Sequence, residues 1–311
     1  MEEEQPLVYI SLLTWGNADD CINCVHSLKK LNYTNYKLLI RDNASPNDSY
    51  AQLLKALPEY SVVQSQDNLG YAAGHWENYK IARGNRTELF WILNSDLEIH
   101  PDALTELVQV YKKCGDHIYG SVSLQPQNAR VIDFGGAAEG DRFKDPFIYN
   151  EWKDRSYSKL LAEHPDHYKV QSVEGSSMLL PINLVEQEGF MKLDFFMYGE
   201  ETDYCYRLGK QGIRSIIATK SVVYHKNAGS VQSHKDLSVI PAYYRRRNSL
   251  RFQRDHFGLS KWQCLCYKNG AVANLKTILS NNKDLNYFYA LACWHAFLGK
   301  NGKTVHPEEF I

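Results

Sequence analysis

The segment Leu89-Phe90-Trp91-Ile92-Leu93-Asn94-Ser95-Asp96 decides the fold of this chain. Its first five residues form an unbroken apolar run, which is typical of a strand buried on both faces of a parallel sheet. Ligands of open α/β sheets collect at the carboxyl ends of such strands, and that is where Asp96 is expected. Two interpretations are open. Either Asp96 holds a divalent metal against a diphosphate, or Asn94 and Ser95 only shape a turn before a helix that opens at Pro101-Asp102.

Strand and helix patterns alternate four times over residues 1–115. Apolar runs predict strands at 7–13, 36–41, 60–64 and 89–93, and helical periodicity predicts helices at 18–31, 49–57, 72–83 and 101–114. This alternation is typical of a doubly wound α/β fold with a mainly parallel sheet flanked by helices. Polar residues follow three strands, at Thr14, Asp42 and 94–96. Three polar strand ends at one sheet edge favour a nucleotide site over ordinary loops.

A polar loop with two glycines, Asp67-Asn68-Leu69-Gly70-Tyr71-Ala72-Ala73-Gly74, leads into the third predicted helix. Glycine at positions 70 and 74 would let the backbone approach a flat or charged ligand closely. The spacing differs from G-x-G-x-x-G and from G-x-x-x-x-G-K-[ST], so the pattern excludes the dinucleotide and P-loop motifs.

Residues 120–170 are rich in Gly, Asp, Pro and aromatic side chains, including Trp152. Loops laid over a sheet edge usually shape substrate specificity, and an insertion without a specific role is the alternative. Two further predicted strands flank Glu174-Gly175-Ser176. We assign Trp152 and Gly175 to the binding of an acceptor substrate.

A group of acids follows an aromatic run in Phe195-Phe196-Met197-Tyr198-Gly199-Glu200-Glu201-Thr202-Asp203. In a helix that begins near Gly199, Glu200 and Asp203 share one face and Glu201 projects on another. Acids in a first turn suit the helix dipole, which is one explanation. The other is catalysis, because desolvation beside an aromatic run raises a carboxylate pKa toward values useful to a general base. We assign Asp203 to the acceptor side.

The predicted strand at 221–224 ends at His225, before a polar loop. A lone histidine is more often structural than a ligand. Neutral imidazole is nevertheless a good ligand for Mn²⁺-like cations beside a carboxylate. From the residues alone, His225 is therefore either a structural histidine or a candidate ligand for a divalent cation.

The composition excludes several classes of protein. The chain has 311 residues, 44% hydrophobic content and a formal net charge of −1, which argues against a nucleic-acid-binding protein with its usual basic face. The acidic N-terminus has no apolar signal core, and no stretch approaches the roughly 20 apolar residues of a membrane span. The seven cysteines are scattered, as expected of reduced thiols. We therefore expect a cytoplasmic protein.

From Pro241 onward the sequence becomes helical. Residues 243–254 are basic and aromatic, and two apolar helices are predicted near 261–280 and 284–299. The basic segment suits the phosphates of a donor or of anionic lipid at the inner face of a membrane, or it is a solvated helix face. The helices also suit a homodimer, and their pattern does not decide among these uses.

Six motifs stand in an order known from one enzyme family: Thr14-Trp15, Asp42-Asn43-Ala44-Ser45, residues 68–74, Asn94-Ser95-Asp96, Gly199-Glu200-Glu201-Thr202-Asp203, and His225. Over about residues 7–255 the chain resembles the family 2 glycosyltransferases of the GT-A fold, especially the bacterial rhamnosyltransferase-like branch. The resemblance implies an inverting transferase that uses Mn²⁺ or Mg²⁺. The donor would be a UDP- or dTDP-sugar, with rhamnose one candidate, and the acceptor a hydroxyl of a glycan or glycolipid.

The resemblance also implies a domain organisation. The GT-A domain would cover residues 1–237, with a nucleotide-binding half at about 7–118 and an acceptor-binding half at about 119–237. A helical extension would follow at 238–311.

The resemblance further implies roles for single residues. Asn94-Ser95-Asp96 matches the D-x-D motif, so Asp96 would hold the metal, while Asn94 would face the ribose or phosphate with Ser95 beside it. His225 matches the histidine that completes the metal site in part of the family. Glu200-Glu201 matches the paired acids whose second member acts as base. The positions that match nucleotide-binding ones are Thr14, Trp15, Asp42, Asn68, Gly70, Tyr71 and Gly74.

Three departures from the family pattern and two other functions stay open. The second acid is Glu201 instead of Asp, which leaves the base open between Glu200 and Glu201, and Trp15-Gly16 and His75-Trp76 replace the usual pairs after their motifs. A nucleotidyltransferase acting on sugar phosphates also uses an α/β sheet and a carboxylate-bound metal, but its Gly-rich basic loop is missing after the first strand. A non-catalytic sugar-binding protein would need neither base nor metal.

Overall fold

The computed structural model describes residues 5–138, 150–226, 239–260, 263, 277–279 and 284–310. Its strands are β1 (Val8–Thr14), β2 (Tyr36–Asp42), β3 (Ser61–Gln64), β4 (Leu89–Asn94), β5 (Leu97–Ile99), β6 (Ile118–Gln125), β7 (Asn128–Phe134), β8 (His167–Val170), β9 (Ser177–Pro181) and β10 (Ser215–His225). Its α-helices are α1 (Ala18–Leu28), α2 (Ser49–Ala56), α3 (Tyr71–Arg83), α4 (Ala103–Cys114), α5 (Tyr157–Glu163), α6 (Ile182–Glu188), α7 (Glu200–Gly209), α8 (Val239–Phe257) and α9 (Leu285–Leu298). Short 3₁₀ turns lie at Leu193–Phe195 and Pro307–Phe310.

One mixed sheet runs through the described part of the chain in the order β3-β2-β1-β4-β9-β6-β10-β5, with β7 paired to β6 and β8 paired to β10. The first four strands in this order are parallel, as the alternating pattern predicts. From β9 onward the sheet is mixed, because β9 runs antiparallel to both β4 and β6. The predicted α/β class is confirmed, and the second half of the sheet adds the antiparallel pairs.

Strand β4 is buried on both faces, as its unbroken apolar run predicts. Leu89, Trp91 and Leu93 belong to a core layer with α1, α2 and α4. Phe90 and Ile92 belong to the opposite layer, with α3, α6 and α7. Burial on both faces leaves the carboxyl end of β4 as the place where polar groups can meet solvent.

Strand β5 is a feature that the sequence analysis did not predict. After the turn at Ser95 and Asp96, the short strand pairs antiparallel with the end of β10, and Leu97 stands opposite His225. Leu97 and Ile99 are buried while Glu98 is exposed, which is the alternation of an edge strand. Because of this register, Asp96 comes to lie beside His225.

Helices α8 and α9 are joined to the rest of the protein by a shared core. Phe196 from the segment before α7 packs with Tyr243 and Tyr244 of α8, Phe288 of α9 and Val305. The predicted domain boundary at 237/238 and most of the predicted helix at 261–280 lie outside the described residues. Among the helices that are described, none combines the length and the apolar character of a membrane span.

Two arginines of the basic segment of α8 lie inside the protein, whereas Arg245 of the same segment is exposed. Arg247 is 1% exposed and Arg251 is buried, so these two side chains are neither a solvated face nor a surface for lipid phosphates. Both guanidinium groups bind inside the protein, Arg247 to the carbonyl of Phe195 and Arg251 to Asp194. The positive charges at positions 247 and 251 therefore stabilise contacts inside the protein.

Candidate active site

The carboxyl ends of β4 and β10 bring Asp96 and His225 together. Asp96 Oδ1 lies 3.2 Å from His225 Nε2, and the two side chains are only 11% and 12% exposed. His225 Nδ1 lies 3.7 Å from Glu174 Oε1. Burial opposes protonation of the imidazole, but the two carboxylates outweigh it and raise the pKa of His225 to about 10. Asn94 and Ser95 are half-buried next to this pair.

Glu174 is a site residue that the sequence analysis quoted without giving it a role. It stands in the loop before β9, and Ser176 Oγ donates a hydrogen bond of 2.7 Å to its Oε2. The backbone N–H of Asn94 donates to the carbonyl of Ser176 at 3.0 Å, which ties this loop to the end of β4. An acid beside a glycine between two buried strands was the only signal in the sequence, and it could not show which strand end the loop reaches.

The Asp96–His225 pair fits a cation whose other ligands come from a substrate. In the part of the chain that is described, no group of three or more His, Cys, Asp or Glu side chains could hold a metal ion by itself. Mg²⁺ usually takes one or two protein carboxylates together with substrate phosphates, and Mn²⁺ accepts imidazole as well. Among the described residues, His225 Nδ1 has no hydrogen-bond partner, and its ion-pair contact to Glu174 Oε1 is long, at 3.7 Å. The donor set suits a divalent cation bridged to a diphosphate.

The ends of β1 and β2 place two further predicted residues side by side, because Thr14 stands opposite Asp42 in the parallel register. Asp42 is fully buried. Its Oδ1 accepts hydrogen bonds from Ser45 N (3.0 Å) and Gln64 Nε2 (3.3 Å). Its Oδ2 has no hydrogen-bond partner in the described ranges. A buried carboxylate oxygen without a partner is costly, and a donor from a bound ligand would satisfy it.

Trp15 forms part of the surface beside Asp42. Its Nε1 donates to the carbonyl of Ala44 at 3.2 Å, and the N–H of Gly16 donates to Ser45 Oγ at 2.7 Å. These bonds connect the loops after β1 and β2. The indole is half-buried, so one part of it stays accessible to a ligand.

The two glycines of the loop before α3 face protein instead of open space. A Cβ added to Gly70 would lie 2.2 Å from the carbonyl oxygen of Phe196, and one added to Gly74 would lie 2.7 Å from Leu13. Gly70 also has a φ of +80°, which favours glycine. The expected close approach of a ligand at these positions is therefore corrected: packing against protein accounts for both glycines. Asn68 supports the loop, since its Oδ1 accepts from Gly70 N at 3.0 Å.

Helix α7 begins with the two candidate bases, and they differ in access to solvent. Glu200 is 3% exposed, and its pKa is raised well above the usual value by burial and by the charge of Glu201. Glu201 is half-buried and lies next to Gly175. Burial, with Glu174 as a further contribution, raises the pKa of Glu201 as well. Only Glu201 of the two presents a carboxyl that a substrate could approach.

Two tyrosines, Tyr71 and Tyr198, lie near Glu200, and Tyr198 also lies near Asp96. Tyr71 donates its hydroxyl hydrogen to the carbonyl of Gly175. Burial raises the pKa of Tyr71, and the charges of Glu200, Glu201 and Glu174 raise it further. Burial raises the pKa of Tyr198, and among the carboxylates that contribute are Glu200 and Asp96. Contacts of the loop before β9 show the connection between the acids and the Asp96–His225 pair directly. Glu174 Oε1 lies 3.7 Å from His225 Nδ1, and a Cβ on the adjacent Gly175 would lie 3.6 Å from Glu201 Cγ, so this loop links the pair to the start of α7.

Two residues assigned to the acceptor are buried elsewhere, which corrects those predictions. Trp152 is 4% exposed and packs in the core with His164 and Tyr168. Asp203 is 0% exposed, and its Oδ1 accepts from His256 Nε2 at 2.7 Å and lies 3.0 Å from Lys192 Nζ. Burial opposes its ionisation, but these two partners outweigh burial and lower its pKa. The helix face that carries Asp203 packs against the protein body.

Residues 14–156 match the family model described as glycosyl transferase family 2. This part of the chain is similar to that family. The low-salt glycan biosynthesis hexosyltransferase Agl10 of Haloferax volcanii is 26% identical over 153 residues, which are 49% of this chain and 47% of that protein. The chain thus spans about half the length of this relative, and neither comparison singles out a rhamnosyltransferase-like branch.

Two solved structures share the fold over nearly the whole chain. The mannosyltransferase PcManGT from Pyrobaculum calidifontis, in complex with GDP-Man and Mn²⁺, has a TM-score of 0.54 and 12% identity, covering 96% of this chain and 75% of that one. GalNAc-T7 with UDP, GalNAc and Mn²⁺ has a TM-score of 0.60 and 14% identity, covering 96% and 59%. At these identities the likeness concerns the fold, and the fold is the GT-A fold of glycosyltransferases.

Proposed function

We propose that this protein is an inverting, metal-dependent glycosyltransferase. It would move a sugar from a nucleotide-diphosphate donor to a hydroxyl of a glycan or lipid-linked acceptor. One observation carries the proposal: Glu174 lies beside His225 of the Asp96–His225 pair, and the adjacent Gly175 lies against Glu201, so the loop before β9 joins the pair to the acids of α7. The family match and the nucleotide- and Mn²⁺-bound GT-A neighbours support it.

The donor nucleotide would bind across the ends of β1 and β2. Asp42 Oδ2 offers an acceptor for an N–H of the base or a hydroxyl of the ribose, and Trp15 offers a partly exposed aromatic face. Thr14 lies directly beside Asp42 and would shape the same pocket. Asn94 and Ser95, at the end of β4, would contact the ribose or the diphosphate. The bases that we test first are uracil and thymine, with dTDP-rhamnose among the donors.

The diphosphate would lie at Asp96 and His225. These two residues would hold a divalent cation, Mn²⁺ or Mg²⁺, which when bound offsets the negative charge of the departing diphosphate. Because the pKa of His225 is raised to about 10, the imidazole must give up a proton before it acts as a ligand. Asp96 would supply the carboxylate ligand of the pair.

Glu201 would be the general base. The acceptor oxygen attacks the anomeric carbon, the bond from that carbon to the diphosphate oxygen breaks with its electron pair on the diphosphate, and the acceptor proton passes to Glu201. A single displacement of this kind inverts the anomeric configuration. Glu200 is too buried for the acceptor to reach, and its raised pKa favours the neutral form beside Glu201. A general base in position contributes roughly 10²–10⁴ in rate.

The two other functions fit the site less well. A nucleotidyltransferase needs a basic phosphate loop after the first strand, whereas here Asn17 caps α1 by accepting from Asp20 N, and two acids follow. A sugar-binding protein has no use for two carboxyls held at raised pKa next to a carboxylate–imidazole pair.

A panel of UDP-, dTDP- and GDP-sugars with and without Mn²⁺, read as a shift in Tm, tests the proposal. A donor at 100 times its Kd stabilises a protein by about 2.7 kcal/mol, so the best donor gives the largest shift. We expect that shift to require Mn²⁺ and to be lost in Asp96→Asn. The best donor is then offered with hydroxyl acceptors, and NMR of the product gives the anomeric configuration. The proposal would be contradicted if the protein neither transfers nor hydrolyses any of the donors. It would also be contradicted if the product retains the anomeric configuration of the donor.

A further inference from the structure

The segment directly before the candidate bases is bound by one side chain from α8. Asn248 Nδ2 lies within hydrogen-bond distance of three carbonyl oxygens in this segment: 3.2 Å from Phe195, 2.8 Å from Met197 and 2.7 Å from Tyr198. Asn248 is 1% exposed. A single buried amide therefore serves the backbone of nearly the whole stretch that leads to Glu200.

The neighbouring arginine sets the orientation of that amide. Arg247 Nε donates to Asn248 Oδ1 at 2.9 Å, which turns the Nδ2 group toward the segment. Arg247 Nη2 donates to the Phe195 carbonyl at 2.7 Å, and its Nη1 donates to the Gly302 carbonyl and to Thr304 Oγ1, both at 2.6 Å. The guanidinium thus links the segment to α8 and to the residues after α9.

The backbone of the segment is in conformations that it would not keep by itself. Phe196 and Tyr198 have φ values of +72° and +65°, and Gly199 follows at +90°. Left-handed backbone at a bulky residue is unfavourable and persists only where the surroundings over-determine it. The bonds from Asn248 and Arg247 go to the carbonyls of this strained stretch, and Glu200 begins α7 immediately after it.

We propose that Arg247 and Asn248 are positioning residues for the base, holding residues 195–199 so that the first turn of α7 presents Glu201 to the acceptor. The inference rests on the proposed function, because it assigns the pair to the same site. Neither side chain would touch the donor or the acceptor. Their effect passes through the backbone, where a displacement of about 1 Å in a reacting group can cost on the order of 10²-fold in rate.

The main test variant is Asn248→Asp, which keeps the size of the side chain and the acceptor for Arg247 Nε but removes the N–H donors. We expect kcat to fall at least about 10-fold while the KM for the donor changes less than about threefold. The matched control is Arg254→Lys. Arg254 lies on the same helix and donates to the Ala296 carbonyl of α9 at 3.1 Å, away from residues 195–199. Its kcat should match the unmodified protein.

Gly199→Ala is a second variant that acts on the same stretch without removing a hydrogen bond. A Cβ there has ordinary contacts, 3.6 Å from Phe195 and 3.7 Å from Asn248, but the φ of +90° strains any side-chain-bearing residue. We expect the same loss of kcat with little change in KM. If Asn248→Asp does not fold, this variant decides the question.

Hydrogen exchange supplies a readout that does not depend on catalysis. In Asn248→Asp the amides of residues 195–201 should exchange faster, while those of β1 and β4 stay protected. In a folded Asn248→Asp variant, unchanged exchange at residues 195–201 overturns the inference, whether or not kcat falls. If the unmodified protein transfers no sugar, the proposed function fails, and the exchange data still show whether the pair holds this segment.

Discussion

Two parts of the site are held in place in different ways. The donor rim, which consists of Thr14, Asp42 and residues 94–96, is positioned by the backbone register of parallel strands. The acid segment, named for the acids Glu200 and Glu201 that directly follow it, consists of residues 195–199. It lies outside the sheet strands and is positioned by side chains of α8 that are about 50 residues away in sequence. A register shared by many backbone hydrogen bonds tolerates single substitutions, whereas a segment held by a few side chains does not. The acid segment should therefore be the more easily disturbed of the two.

The loop before α3 joins the two parts. On the rim side, Asn43 Nδ2, next to Asp42, donates to the carbonyl of Gly70 at 3.2 Å. The N–H of Tyr71 donates to the Phe196 carbonyl at 2.6 Å, directly beside Gly70. The Tyr71 hydroxyl binds the Gly175 carbonyl next to Glu201. This contact makes it possible to disturb the rim, the segment or their junction separately.

Removal of divalent metal should have the largest effect and should act through the rim alone. In a chelator we expect transfer to fall to background, because the divalent charge that offsets the leaving diphosphate at Asp96 and His225 is then missing. Added Mn²⁺ or Mg²⁺ should restore the rate, as measured by release of nucleoside diphosphate. Full activity in the chelator would remove the metal from the proposal.

Glu201→Gln tests the proposed base without changing any residue of the rim. The amide cannot accept the proton, so turnover should fall at least about 100-fold. Donor-induced stabilisation should stay nearly unchanged, because the proposed donor site is the rim and does not include Glu201. The matched control is Glu163→Gln, since Glu163 is exposed and pairs only with Lys159 at 3.7 Å in the described structure. Turnover equal to that of the unmodified protein would mean that Glu201 is not the base.

Gly70→Ala disturbs the junction between the two parts, where Gly70 packs against the carbonyl of Phe196. The added Cβ would meet the Phe196 carbonyl at 2.2 Å and would also be strained at a φ of +80°. We expect a loss of roughly 2–4 kcal/mol in the free energy of unfolding, from left-handed strain and overpacking together. Gly212→Ala is the matched control, because Gly212 has a φ of +89° with nothing within 4 Å. The difference between the two variants in the free energy of unfolding, measured in urea, gives the cost of the clash alone. Equal losses of free energy would show that a Cβ at position 70 does not clash with Phe196.

The smallest expected effect concerns pH and the buried groups under the rim. His75 is fully buried, accepts or donates a 2.7 Å bond with Ser11 Oγ, and has a pKa lowered by burial to about 3. Below pH 6.5 the unfolded chain binds a proton that the native state excludes, so stability falls as pH drops from about 6.5 toward 3. Between pH 7 and 5 this histidine should remove about 2 kcal/mol. Urea unfolding at the two pH values should show that His75→Gln loses this part of the dependence, and an identical dependence would contradict it.

The rim could be predicted from the sequence because its signals are local. An unbroken apolar run that ends in Asn94-Ser95-Asp96 marks a strand buried on both faces, and the structure has that strand at Leu89–Asn94. Strand ends of a parallel sheet share one edge, so Thr14 and Asp42 were expected to be neighbours, and they are. The same local reasoning failed for Trp152 and Asp203, because a residue's type and helical face do not show which partners will bury it.

The sequence by itself determined the α/β order of elements, the polar strand ends and the pair of acids at a helix start, since all three follow from the spacing of apolar and polar residues along the chain. The resemblance to a known family also implied that Asp96 and His225 share a site, and the structure has them 3.2 Å apart. Only the tertiary structure decided that Glu174 joins them and that Arg247 and Asn248 hold the residues before Glu200. These contacts join residues that are 50 or more positions apart. They depend on strand register and on the packing of α8, which no local pattern specifies.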